Sequence, residues 1–120
     1  MLEEKTNPHL VDTVLALKQA SSEHEAPVWR ALAEQLEKPS RVHPDVNVGE
    51  LQRVADDDAS IVAVPGKVLG GGYLDRELTV AAWNFSGSAE DKIEDAGGSV
   101  LTLSDALDEN PDGENVQVVG

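Results

Sequence analysis

Residues Ser60 to Gly98 read SIVAVPGKVLGGGYLDRELTVAAWNFSGSAEDKIEDAGG. The run Ser60–Val64 is β-branched and predicts a buried strand. Pro65-Gly66 is a turn signal, after which Lys67–Leu69 resumes the strand. Gly70-Gly71-Gly72 permits positive φ and reads as a glycine hairpin that turns the chain sharply. Leu78 to Phe85 is the next strand. Ser86 or Ser88 suits a helix N-cap, Ala89, Ile93 and Ala96 fall at helical spacing, and Gly97-Gly98 ends the helix.

Downstream, "SVLTL" is a strand, "SDALDEN" a short capped helix, and "VQVV" a final strand after the Pro111-Asp112-Gly113 turn. Upstream, Asn7-Pro8 opens a helix, with Asn as N-cap and Pro at the first helical position. Leu10, Val14 and Leu17 form a stripe, with Val11 and Leu15 beside them, and "SSEHE" breaks it. Pro27 starts a second helix lined by Val28, Trp29, Leu32, Ala33 and Leu36, and Pro39 stops it. "KPSRVHPDVNV" reads as an extended arm, and "GELQRVADDDA" fits a helical turn or a short strand equally. The expected organisation is one α/β domain. Residues 7–38 form a helical hairpin, 39–59 an arm and connection, and 60–120 a mixed strand and helix core.

The chain has 120 residues, enough for one modest core. It has no cysteine, which excludes disulfides and thiolate chemistry. "MLEEKTNPHL" lacks the pattern of a signal peptide, and no apolar run reaches the ~18–20 residues of a membrane helix.

Net charge is −14, from 23 acids and 9 bases. With few large hydrophobics and abundant Ala, Val and Gly, this is the composition of a protein adapted to molar salt. There the Debye length is about 3 Å, so net charge does not exclude a nucleic-acid partner. The charge is also segregated. Ser60 to Leu74 holds one lysine and no acid. Lys38 to Arg76 holds five bases and six acids, whereas Glu77 to Gly120 holds one base and ten acids. The bases Arg30, Lys38, Arg41, Arg53, Lys67 and Arg76, with His43, are candidate phosphate contacts. Tyr73, beside the glycines, is a candidate exposed aromatic, whereas Trp29 and Trp83 read as core. Gly70, Gly71 and Gly72 would let backbone approach a ligand closely.

Other chemistry finds little support. Gly66-Lys67 lacks the upstream glycine and the following Ser or Thr of a phosphate loop. His9, His24 and His43 sit on different elements, no metal motif is present, and Asp56–Asp58 reads as a solvated turn. No nucleophile elbow is visible.

The segments "TNPHLVDTVLALKQASSEHEAPVWRALAEQLEKPSR", "VNVGEL", "VPGKVLG", "LTVAA", "KIEDAGG" and the closing "VQVVG" resemble the large-subunit ribosomal protein eighteen-e family, which is related to bacterial ribosomal protein L-fifteen. The resemblance runs from Thr6 to the C-terminus, and the acidity is similar to that of a halophilic archaeal member. It implies an irregular superhelix of strand-strand-helix units with N-terminal helices. It also implies a structural, non-enzymatic role in the cytoplasmic ribosome, binding large-subunit rRNA among neighbouring ribosomal proteins. No membrane, small-molecule substrate or cofactor is expected beyond Mg²⁺ or monovalent ions bridging to RNA. Family members often carry a denser basic run after the second helix; this chain keeps Lys38, Arg41 and His43. The competing expectation is a halophilic protein-interaction module that does not bind RNA.

Overall fold

The computed structural model describes residues 8–39 and 43–120, with Pro8 and His9 by backbone alone. In chain order the elements are α1 (Pro8–His24), α2 (Pro27–Glu37), β1 (Asp45–Asn47), α3 (Val48–Val54), β2 (Ile61–Leu69), β3 (Thr79–Phe85), α4 (Gly87–Asp95), β4 (Ser99–Thr102), α5 (Leu103–Glu109) and β5 (Val116–Val118). The α/β class and the N-terminal helical hairpin are those expected from the sequence.

All five strands form one parallel sheet, in the order β1-β2-β3-β4, with β5 also on β2. The short strands β5 and β1 lie end to end along one flank of β2, at Ile61–Ala63 and Lys67–Leu69 respectively. Alternation along β2 and β3 divides the core into two layers. Val62, Val64, Val80 and Ala82 face α3 and α4, with Leu51 and Ile93 packed on them. Ile61, Ala63 and Ala81 face α1, α2 and α5, with Leu17, Trp29, Leu32, Leu36 and Leu103 packed on them. Trp29 is fully buried, and its indole N–H donates to the Pro111 carbonyl at 2.9 Å. Parallel strands with helices on both faces bury almost every β2 residue.

Several local readings need correction. Pro65-Gly66 is not a turn: both residues are buried inside β2. They occupy the gap between β5 and β1, where the register against β3 shifts. Proline, which has no N–H to donate, is tolerated at such a bulge. The glycine run is not a hairpin either, because β2 and β3 are parallel. Residues 70–78 instead carry the chain back along the sheet. Only Gly72 of the three has positive φ, at 91°. α1 continues through Ser21–His24 and ends where Glu25 turns left-handed at φ 51°. Leu10, Val14 and Leu17 do point inward, while Val11 and Leu15 are exposed. "GELQRV" resolves as helix α3.

Of the two serines proposed as cap, Ser86 serves, its hydroxyl accepting from the Ala89 N–H at 3.2 Å. Thr102 and Asp105 form a capping box on α5. Asn7, the expected cap of α1, lies outside the described residues.

Candidate nucleic-acid interface

The C-terminal edge of the sheet holds the glycine segment singled out by sequence, whereas Arg30, Lys38 and Arg76 lie elsewhere on the fold. At that edge the ends of β1, β2 and β3 meet the starts of α3 and α4 and the glycine segment. Asn47 Oδ1 accepts from the Gly71 N–H at 3.1 Å, and the Gly49 N–H donates to the Gly71 carbonyl at 2.9 Å. A Cβ on Gly72 would stand 2.7 Å from Gly49 Cα, so two backbones touch here. A Cβ on Gly70 would overlap the Ser88 side chain, and one on Gly71 would meet Asn47 Oδ1 at 2.6 Å. Intramolecular packing therefore accounts for these glycines. The exposed backbone of Gly71 and Gly72 still faces solvent.

The bases divide into paired and unpaired. Arg76 is bound: its guanidinium donates to Asp57 Oδ1 at 2.9 Å and to the Gln52 carbonyl at 3.0 Å. Arg30 pairs with Glu34 one helical turn away at 3.2 Å, and Lys18 pairs with Glu37 at 2.7 Å. Arg53 reaches only the Gly49 carbonyl, at 3.3 Å, and stays exposed. His43 caps the end of α2: its Nε2 donates to the Leu36 and Lys38 carbonyls at 3.1 and 2.9 Å. Both partners are carbonyls, so this nitrogen carries the proton.

Lys38 and Lys67 are exposed and make no side-chain hydrogen bond or ion pair among the described residues. The backbone of each is hydrogen-bonded to a residue just before β1. Lys38 follows α2, its carbonyl held by His43, and the Lys67 N–H donates to the carbonyl of the next residue, Pro44, at 3.0 Å. Arg41 lies outside the described residues.

Sequence reading missed Lys92. Its ammonium donates to the carbonyls of Gly70 and Gly72, at 2.7 Å each, and ties α4 to the glycine segment. Lys92 is the lone base of the acidic C-terminal stretch, and its partners are 20 and 22 residues away, so no local pattern announces them. Tyr73 is exposed, 68%, as expected.

The family of ribosomal proteins 50S-L15, 50S-L18e and 60S L-twenty-seven-A matches residues 45–101. The large ribosomal subunit protein eL18 of Haloarcula marismortui is 47% identical over 96% of this chain and 97% of its own length. The chain belongs to the eL18 family. The eL18 of Methanoregula boonei is 46% identical over 97% of this chain and 95% of its own, and that of Halobacterium salinarum 44% over 96% and 97%. These eL18 relatives are named as ribosomal proteins, not as enzymes.

The segment of this eL18-family chain that matches the family as a whole runs from β1 into β4, and so spans the sheet edge built around Gly66 and Gly70–Gly72. Its Tyr73 hydroxyl donates to Asp75 Oδ2 at 3.2 Å. That hydrogen bond, with the carboxylate's charge, holds the phenol above its ordinary value of 10.0. Tyr73 is the chain's one tyrosine. Spectrophotometric titration is therefore expected to show a phenolate that forms above the ordinary range, and Asp75→Asn to lower it. An unchanged titration in Asp75→Asn would contradict this contact.

Proposed function

We propose that this chain is a structural, rRNA-binding component of the large ribosomal subunit, cytoplasmic with the ribosome and packed among neighbouring ribosomal proteins. Likeness over nearly its full length to proteins named for the large subunit supports the assignment. The RNA-facing side is argued from one observation: among the described residues Lys38 and Lys67 have no side-chain partner, whereas the other described lysines and arginines are engaged. A lysine left unpaired on so acidic a chain is suited to a phosphate supplied from outside. Recognition is by backbone position and shape, with ammonium groups and exposed amides meeting phosphates and 2′-hydroxyls. In molar salt, contact geometry outweighs net charge, and the acid-rich C-terminal stretch faces solvent and ions.

Arg53 is a further contact, since its one hydrogen bond leaves most of the guanidinium unspent. Arg76 has an intramolecular role in this reading, tying the connection after β2 to α3 and Asp57. Arg30 sits on the outer face of α2, where an exposed pair such as that with Glu34 is weak enough to exchange for phosphate.

The double variant Lys38→Glu, Lys67→Glu tests this. Hydrogen bonds to charged groups are worth ~1.5–3 kcal/mol, so losing two is expected to lower incorporation into large subunits by at least about tenfold at native salt. Full incorporation of the double variant would remove this face from the interface.

A further inference from the structure

An open groove of about 420 Å³ lies between the glycine segment and α4, lined by Gly72, Tyr73, Leu74, Asp75, Lys92, Asp95 and Ala96. That volume falls within the ~300–1,000 Å³ of small-ligand sites. We propose that it receives one unstacked guanine base of the rRNA, stacked on Tyr73 and read by Asp95 and Lys92; this rests on the RNA-binding reading above.

The groove's chemistry selects a base rather than a phosphate. Asp75 and Asp95 both line it, and two carboxylates repel an anion. A carboxylate accepts hydrogen bonds and therefore needs a donor. Both Asp75 oxygens are already engaged, Oδ1 by the Gln52 amide at 2.9 Å and Oδ2 by Tyr73. Asp95 is exposed and has no hydrogen-bond partner among the described residues. Lys92 spends two of its ammonium protons on Gly70 and Gly72 and keeps one. The site thus presents an acceptor, a single donor and an aromatic face.

Guanine's Watson–Crick edge offers the complement: N1–H and N2–H for the carboxylate, with O6 beside them for the ammonium. Adenine, cytosine and uracil each lack at least one of the two adjacent N–H donors. Unpaired bases in RNA are commonly recognised by this combination of stacking and edge contacts.

The platform is also held in place before any ligand arrives. Asn47 and Gly49 fix Gly71, Lys92 fixes Gly70 and Gly72, and Gln52 Oε1 accepts from the Asp75 N–H at 3.0 Å. The Tyr73 hydroxyl bond to Asp75 restrains the ring. Such preorganisation lowers the ordering cost of binding.

The test is probing of assembled large subunits with a glyoxal reagent that modifies N1 and N2 of accessible guanine. Subunits carrying the wild-type chain, Tyr73→Ala, Tyr73→Phe and Asp95→Asn are compared. Base stacking on an aromatic ring corresponds to a loss of about 5- to 150-fold on alanine substitution. One guanine is expected to be protected with the wild-type chain and Tyr73→Phe, and to become at least about fivefold more reactive with Tyr73→Ala and Asp95→Asn. Both side chains are exposed, so thermal melts in molar KCl should be unchanged. Departure of Tyr73→Ala from the subunit with an unchanged melt, while Tyr73→Phe stays, would also support the stacked base. The same reactivity pattern in all four subunits would overturn the proposal. So would a lowered Tyr73→Ala melt with protection intact in Asp95→Asn. Absence of the wild-type chain from the subunit would instead overturn the RNA-binding reading itself.

Discussion

The isolated chain is expected to lose its fold in dilute buffer and to regain it cooperatively in molar KCl. Among the described residues every acid except Glu50 is exposed, and only Glu34, Glu37 and Asp57 pair with a lysine or arginine. The molecule measures 39 × 34 × 18 Å. At ~0.01 M salt the Debye length is about 30 Å, so the net charge of −14 acts on itself across the whole molecule. At ~1 M it is about 3 Å, and only touching charges interact. The opposing core is built mainly of Val, Ala and Leu around one buried tryptophan. A domain stable by only ~5–15 kcal/mol has little reserve against that repulsion. Circular dichroism across a KCl series checks this. A cooperative thermal transition in dilute buffer, matching that in molar KCl, would contradict it.

The second large effect is expected from adding one methyl group at Gly66. A Cβ there would lie 2.1 Å from the Pro44 carbonyl oxygen and 3.0 Å from its carbon, both backbone atoms that cannot rotate away. The adjacent Lys67 N–H donates to that same oxygen, so relief of the clash breaks the junction of β1, β2 and the arm. Gly66→Ala is expected to cost about 3 kcal/mol, at the upper end for overpacking, and to lower Tm by roughly 10 °C. Gly87 is the control. A Cβ at Gly87 meets nothing within 4 Å, and the residue begins α4. Gly87→Ala is expected to be neutral or to stabilise by up to ~1 kcal/mol. Equal melts of the two variants in molar KCl would contradict the packing role assigned to Gly66.

Those two glycines also show what the sequence could reveal. Gly87 lies between the two serines that the local pattern offered as caps before an apolar spacing of three and four residues, and with Ser86 as the cap it opens the helix. Gly66 follows a proline, and the pair reads as a turn from local chemistry. Its burial depends on Pro44, 22 positions earlier, and on a gap between two short strands that no local window contains. Strand direction was hidden for the same reason. The β-branched runs announce β2, β3 and β4, but Gly70–Gly72 suits a hairpin and a parallel return equally well until the partners of Asn47 and Gly49 are known.

The interface divides similarly. The acid-free stretch and the bases around it were legible from composition, and among the described residues Lys38 and Lys67 have no side-chain partner. Arg76 looked equivalent, yet it lies between Asp57 and Gln52, which approach it through the fold. His43 looked like one more base of the arm and instead caps a helix with its ring. Lys92 carried no signal, because a single lysine among acids reads as a solvated surface residue. Such partners are brought together by the fold, and residue type alone does not encode them.

This chain is expected to reside in the large ribosomal subunit, bound to rRNA. The most direct measurement is sedimentation of a native lysate through a sucrose gradient in molar KCl with Mg²⁺, probing each fraction for the chain. The chain is expected to travel with the large subunit and to be released when the rRNA is digested. A chain that stays at the top of the gradient would contradict the account and favour a protein-interaction module that does not bind RNA.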